Sequence, residues 1–340
     1  MTTTPTASPR PTEIPASRSG DPARTALPAR PAPRAPGESR GTARVRARAF
    51  VELTKPRITL LLLVTCVAGM FVAERGMPDL VLLLVTSLGL AMSSGGASAL
   101  NHVIDRDIDA IMARTASRPV VAGTVGVVEA WAFGLFLMAA AGAMLWAFVN
   151  PLTSLLALGG GGFYVLGYTM LLKRTTVQNI VIGGAAGAIP PLVGWAAIEN
   201  SLSPLALVLF LIIFLWTPPH FWALAMLIKK DYAEAGIPMM PVVRGDVVTA
   251  NQIVLYSWAL LATTIAPVVT GSLGALYGVV ALALGARLLQ RGYQLKAVAS
   301  ADDDTRLPAA KRMFLFSMGY LALLFLALVL DQTVLSLPLR

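Results

Sequence analysis

The nine residues from Asn101 to Asp109 read Asn-His-Val-Ile-Asp-Arg-Asp-Ile-Asp, and within them Asn101, Asp105 and Asp109 recur at every fourth position. At about 100° of rotation per helical residue, that spacing gathers three oxygen-bearing side chains into an arc of about 80° on one face. Two carboxylates held so close repel each other unless a cation lies among them. Hard oxygen ligands in this arrangement suit Mg²⁺, which keeps part of its water and binds through a few carboxylates together with substrate phosphates. Asp105 and Asp109 are therefore candidate metal ligands with a catalytic part. The plainer alternative is that the acids solvate a loop among Arg106, Arg114 and Arg118.

Arg114 and Arg118 continue the segment to Pro119 and offer planar donor forks suited to phosphate oxygens. They equally suit a loop that is positive because of membrane topology. Lys173 and Arg174 add positive charge further along. A second polar cluster runs Lys229-Lys230-Asp231-Tyr232, then Glu234, Gly236-Ile237-Pro238-Met239-Met240-Pro241 and Arg244. Asp231 is its candidate metal ligand and catalytic residue, Glu234 is less regularly spaced, and Lys230 and Arg244 are candidate substrate contacts. The two histidines are His102, assigned to the loop, and His220, inside an apolar run and a candidate substrate contact.

The elements that must position these residues are membrane helices. A chain that is 56% hydrophobic and 13% charged is too apolar for a soluble domain. Its long uncharged runs lack the period-2 alternation of a membrane barrel. Hydropathy gives spans near 58–73, 80–100, 125–147, 151–171, 178–198, 202–228, 250–270, 273–290 and 313–333. The expected fold is thus all-α, a polytopic membrane bundle of nine transmembrane helices. With a cytosolic N-terminus, one side collects every Lys and Arg of the 27 except Arg75 and Arg340, which supports an N-in, C-out topology. The same sorting explains the net charge of +9 without nucleic acid. Among residues well inside the spans, only Glu129 and His220 are ionisable. Acidic groups confined to the rim oppose a secondary transporter, which usually carries charge at mid-membrane. Small-residue patches at Ser94/Ser98, Gly159 to Gly162 and Gly183/Gly187 read as helix packing. Cys66, the single cysteine, reads as a small apolar residue and excludes an intramolecular disulfide.

Residues 1–49 are rich in Pro, Ala, Arg, Ser and Thr and are expected to form a disordered cytosolic tail, with residues 50–340 as one intramembrane domain. A mitochondrial transit peptide is the alternative, opposed by the many prolines. A secretory signal peptide is not expected.

The spacing Asn101-x3-Asp105-x3-Asp109 with a later acidic loop resembles the intramembrane prenyltransferase superfamily typified by 4-hydroxybenzoate polyprenyltransferase. The finer likeness is to its haem O synthase branch, carried by Arg114-Thr115 and Arg118-Pro119, Tyr168-Thr169, Leu172-Lys173-Arg174-Thr175, Gln178 to Gly184, Thr217-Pro218-Pro219-His220-Phe221-Trp222, and Ala235 to Pro241. The resemblance implies transfer of a farnesyl group from farnesyl diphosphate to the 2-vinyl group of haem B, giving haem O. It implies Mg²⁺ on Asp105 and Asp109, with Asp231 helping to hold a second ion, and diphosphate contacts from Asn101, Tyr168, Lys173, Arg114 and Arg118. Haem B is then a substrate and not a cofactor. The same resemblance implies the cytoplasmic membrane as location, with the site on the cytosolic side and haem A synthase as a candidate contact. Many members carry two aspartates in the second motif, whereas this chain offers Asp231 and Glu234. A quinone precursor or a chlorophyllide is the alternative acceptor. Deleting residues 1–45 is expected to leave turnover largely intact, and a truncation that inserts but is inactive would show the tail to be functional.

Overall fold

The computed structural model describes residues 43–333, and every regular element among them is helical. Residues 1–42, most of the expected tail, and Arg340 lie outside the described residues. Residues 43–49 do not continue a tail but open a helix, α1 (Ala43–Leu53), whose Ala49 and Leu53 are buried. Ala and Arg favour helix. The fourfold spacing of Ala49 and Leu53 makes a seam that packs on Ala99, Val120, Val125 and Ala130. Composition registers the arginines and overlooks that seam.

Next come α2 (Pro56–Glu74), α3 (Leu80–Ile104), the short α4 (Arg106–Ile111) and α5 (Val127–Phe148). Then α6 (Pro151–Gly162) runs through a π-helical stretch, Phe163–Leu172, into the single turn α7 (Lys173–Thr175). The fifth span is divided at Ile189 into α8 (Asn179–Ala188) and α9 (Pro190–Glu199), where Pro190 and Pro191 interrupt the hydrogen-bond ladder. After α10 (Pro204–Leu227), the short α11 (Lys229–Glu234) and α12 (Met240–Val243) lead to α13 (Gly245–Val269), α14 (Ala275–Ala297) and α15 (Asp303–Thr333).

Three helix starts follow directly from sequence. Asp79 accepts from the Leu82 amide at 2.8 Å, Asn150 from Thr153 at 2.8 Å and Ser203 from Ala206 at 3.2 Å. Pro151 and Pro204 follow two of these caps, where a missing N–H costs nothing. Glu129 serves the start of α5: it accepts from the Gly126 amide at 3.0 Å and from Arg46 at 2.7 Å.

The long helices form a ring in chain order, with α15 returning to α2, and α9 is enclosed against α2, α6 and α10. All residues of α9 from Pro190 to Ala197 are buried. Close approach of α2 and α9 depends on Gly69 and Gly194. A Cβ at Gly69 would strike the Pro191 carbonyl, and one at Gly194 would strike the Cys66 carbonyl.

Eight spans among the described residues are long and apolar enough to cross a membrane. The eighth expected span corresponds to α14, 23 residues long, whose second half carries Arg287, Arg291 and Lys296 and so falls outside that set. The last helix begins at Asp303, well before the expected 313. One ionisable group was overlooked in sequence: Asp331, buried near the end of α15, accepts from the Gly274 amide at 2.6 Å and the Tyr277 amide at 3.2 Å. It thereby caps α14 from a distant part of the chain. Gly194→Val is expected to cost at least about 1–3 kcal/mol by overpacking the α2–α9 crossing. A lower thermal midpoint of the detergent-solubilised protein would register this, and an unchanged midpoint would show that the crossing has slack.

Candidate functional site

The acidic segment is not one unbroken helix. α3 ends at Ile104, Asp105 takes φ −87° and ψ 6°, and α4 begins at Arg106. The i to i+4 ladder nevertheless crosses this joint, with Asp105 N to Asn101 O at 2.9 Å and Asp109 N to Asp105 O at 2.8 Å. Asn101, Asp105 and Asp109 consequently keep their common face and line one cleft of about 140 Å³. All three are buried, at 3%, 1% and 2% exposure, so their charges and dipoles need partners.

Those partners converge from separate parts of the chain. Asp105 Oδ2 accepts from Asn101 Nδ2 at 2.7 Å and from Lys173 Nζ at 2.5 Å. Asp109 Oδ2 accepts from Arg118. Arg174 donates to both oxygens of Asp107 at 2.7 Å and to the Ile104 carbonyl at 3.0 Å, tying α4 to the end of the π-helical stretch. This pair holds the Asp107 carboxyl down at about 2, chiefly through the Arg174 hydrogen bonds. Asp105 Oδ1 has no hydrogen-bond partner, although it is buried and Arg174 lies 3.7 Å away.

Lys55, which the sequence reading passed over, sits at the base of the same cleft. It occupies the corner between α1 and α2 with φ 47°, a left-handed conformation costing about 1–2 kcal/mol for a residue with a Cβ. Its Nζ donates to Asn101 Oδ1 at 2.7 Å and to the Tyr164 hydroxyl at 3.3 Å. Loss of hydration, aided by the charges of Arg118 and Lys173 and opposed by Asp105 and Asp109, lowers its ammonium to about 7.

The aromatic wall is set by the π-helical stretch. Its wider i to i+5 turn is visible in the Lys173 amide, which donates to the Tyr168 carbonyl, and the Thr169 hydroxyl donates to the Tyr164 carbonyl at 2.9 Å. Tyr164 and Tyr168 stack at 5.7 Å and both line the cleft, joined by Phe221 and Tyr232. Gly183 on α8 makes room for this wall, because a Cβ there would collide with the Tyr168 ring.

Of the expected site residues, the structure brings together Asn101, Asp105, Asp109, Arg114, Arg118, Tyr168 and Lys173. Asp231, Lys230, Arg244 and His220 are not on the cleft wall. In α11 it is Tyr232, one residue on, that is buried and faces the cleft, while Asp231 is half-buried and Lys230 extends into solvent. Among the described residues, no three His, Cys, Asp or Glu side chains gather as a metal-holding group. Arg244 ends α12 and is exposed. His220 is packed between Trp216 and Phe314, with Nδ1 2.8 Å from Ser317 Oγ, so it joins α10 to α15. His102 lies not in a loop but buried within α3.

Four cations, Lys55, Arg114, Arg118 and Lys173, line the cleft against two carboxylates. That balance suits a polyanion held beside a metal ion.

Comparison with known proteins gives the same chemistry a family. Residues 62–330 match the model of the UbiA prenyltransferase family. The chain is 48% identical over 287 residues to a protein named protoheme IX farnesyltransferase from Streptomyces coelicolor, covering 84% of this chain and 91% of that one. It is 49% identical over 285 residues to protoheme IX farnesyltransferase 1 of Pseudomonas fluorescens, covering 84% and 93%. Among solved structures, a digeranylgeranylglyceryl phosphate synthase is similar with a TM-score of 0.71 at 15% identity, covering 85% of this chain and 99% of that one. A UbiA homologue from Archaeoglobus fulgidus bound to GPP and Mg²⁺ is similar with a TM-score of 0.59 at 18% identity, covering 82% and 99%.

An anion entering the cleft would favour the charged form of Lys55. Binding of inorganic diphosphate is therefore expected to take up a proton and to weaken by up to about tenfold per pH unit above about 7, while staying level just below it. Calorimetry in buffers of different ionisation enthalpy would report the proton. Lys55→Met should bind more weakly and lose this dependence, whereas an unaltered pH profile in the variant would remove Lys55 from the anion site.

Proposed function

The chain belongs to the UbiA prenyltransferase family, and we propose that within it this protein transfers the farnesyl group of farnesyl diphosphate to the 2-vinyl group of haem B, yielding haem O and diphosphate. The observation that carries this reading to particular residues is the single cleft in which Asn101, Asp105 and Asp109 meet four cations.

Mg²⁺ fits this donor set. Asp105 and Asp109 would hold it, since Asp105 Oδ1 is buried with no hydrogen-bond donor and the pair's remaining charge is balanced only by flexible cations. When bound, the ion would neutralise charge developing on the departing diphosphate. Lys55, Lys173, Arg114 and Arg118 would bind the diphosphate oxygens, with Asn101 and Tyr168 as further contacts. Removing such positive groups weakens stabilisation most where leaving-group charge is greatest. Tyr164, Tyr168, Phe221 and Tyr232 would present ring faces to the allylic cation and keep water from it. The family's expected ligand for a further ion, Asp231, precedes the cleft-lining Tyr232 in α11.

Nine spans with the N-terminus in the cytosol remain our reading of the topology, with α14 as the additional span. The packing of α14 between α13 and α15 supports it, as does the sorting of Lys and Arg. The cleft then opens on the cytosolic side of the cytoplasmic membrane.

Purified protein incubated with haem B, farnesyl diphosphate and Mg²⁺ should produce haem O, detected by mass spectrometry of the extracted haems. Asp105→Asn and Asp109→Asn should each lower turnover by about a hundredfold or more while inserting normally. Wild-type rates in either variant would refute the metal role, and preferential prenylation of a quinone precursor or chlorophyllide in competition would reassign the acceptor.

A further inference from the structure

A second ionic cluster lies outside the cleft. Asp246, on the first turn of α13, is buried with 9% exposure. Its Oδ2 accepts from Lys229 Nζ at 3.1 Å and lies 3.3 Å from Arg306 Nη1. Arg306 is further fixed by Asp303 and by donating to the Ala301 carbonyl at 3.0 Å. Three elements meet there: Lys229 opens α11, Asp246 belongs to α13, and Arg306 lies in the first turn of α15.

Lys229 and Asp246 bracket a segment whose interior supplies Tyr232, Ile237 and Met239 to the cleft wall. That segment holds only two short helices joined through Gly236 at φ 66°, and its local hydrogen bonds, such as Ile237 N to Tyr232 O at 2.9 Å, shape its turns without tying its two ends together. Ion pairs at its two ends cut the freedom of everything between them. The carboxylate is also favoured by its place near the N-terminus of α13. Breaking a buried pair by removing one partner leaves the other charge uncompensated.

We propose that Asp246 is a positioning residue that, through Lys229 and Arg306, clamps the 229–245 segment against the prenyl-diphosphate cleft and thereby sets substrate affinity. The proposal rests on the reading of the cleft given above. The clamp touches no substrate; its loss should raise KM, and because the segment carries Tyr232, which faces the allylic cation, kcat should fall with it. A residue important only for stability would reduce the amount of folded protein and leave KM alone.

The test uses full-length Asp246→Asn and Lys229→Met in lipid nanodiscs, with steady-state kinetics for farnesyl diphosphate and hydrogen exchange without substrate. Expected is a KM raised by about five- to tenfold together with a lower kcat, and faster exchange over residues 229–245 with no change over 101–111. Asp246→Glu should recover part of the affinity. An unchanged KM in Lys229→Met and Asp246→Asn overturns the proposal, as does a loss of folded protein with KM unchanged. Should Asp246→Asn fail to insert, Lys229→Met decides alone. The exchange measurement needs no turnover, so it separates failure of the clamp from failure of the prenyl-transfer reading.

Discussion

Two carboxylates with almost no exposed surface, four residues apart at the end of a membrane helix, are the costliest feature of this protein. Each ionised group removed from water forfeits several kcal/mol of hydration, and the pair also repels itself. Much of the surrounding structure supplies compensation. Lys173 reaches Asp105 from the end of the π-helical stretch, and Arg118 reaches Asp109 from the turn after α4. Arg174 steadies α4 through Asp107. The side chains that neutralise the pair carry long, flexible stems. A metal ion and a polyanion can take over those roles together, since one replaces the cations around the carboxylates and the other receives the cations released.

Three stretches of irregular backbone adjoin this site. The left-handed Lys55, the joint at Asp105 and the π-helical turn from Phe163 to Leu172 all border the same cleft. The first and the last re-aim side chains that a regular helix would direct elsewhere, whereas the ladder across Asp105 keeps its carboxylates on one face. A regular continuation from α1 into α2 would carry Lys55 away from Asn101, and an ordinary helical turn would alter the offset between Tyr164, Tyr168 and Lys173. Strained geometry persists only where neighbours over-determine it. Here the neighbours are the hydrogen bonds of Lys55 to Asn101 and Tyr164, and the packing of the Tyr168 ring on Gly183.

This explains which parts were legible in the sequence. The fourfold spacing of Asn101, Asp105 and Asp109 survives the break between α3 and α4 because the local ladder continues across it. Long apolar runs between caps mark most of the spans within a few residues, but α14 runs on to Ala297 and α15 begins already at Asp303, where charged residues hide the helix. Lys55 carried no such signal, because a lysine just before a membrane helix also satisfies the topology rule. Its direction depends on one dihedral angle. In α11 the charged residue attracted attention, yet the buried Tyr232 is what meets the cleft, and only the docking of α11 decides between adjacent positions about 100° apart. Asp246 and Asp331 act through partners far along the chain, at Arg306 and Gly274, and no local pattern announces such pairs. Gly183 is readable as packing, but not that it adjoins the site, and Gly69 and Gly194 at the α2–α9 crossing carry no such signal.

Helix packing and chemistry are consequently hard to separate in this bundle. Gly183 brings α8 close enough to bear on the Tyr168 ring, and Gly184 does the same for Thr217 on α10, directly before Pro218 and Pro219 within that helix and about one turn ahead of His220 and Phe221. The aromatic wall therefore inherits its height and tilt from side chains seated directly on the α8 backbone. Those contacts are stiff, because the glycines bring no side chain of their own to adjust. The charged floor is the opposite, built from lysine and arginine stems that can follow a ligand. A rigid aromatic wall beside an adaptable ionic floor suits a reaction in which the charged head must be gripped and released, while the cation formed beside it must meet surfaces that do not move.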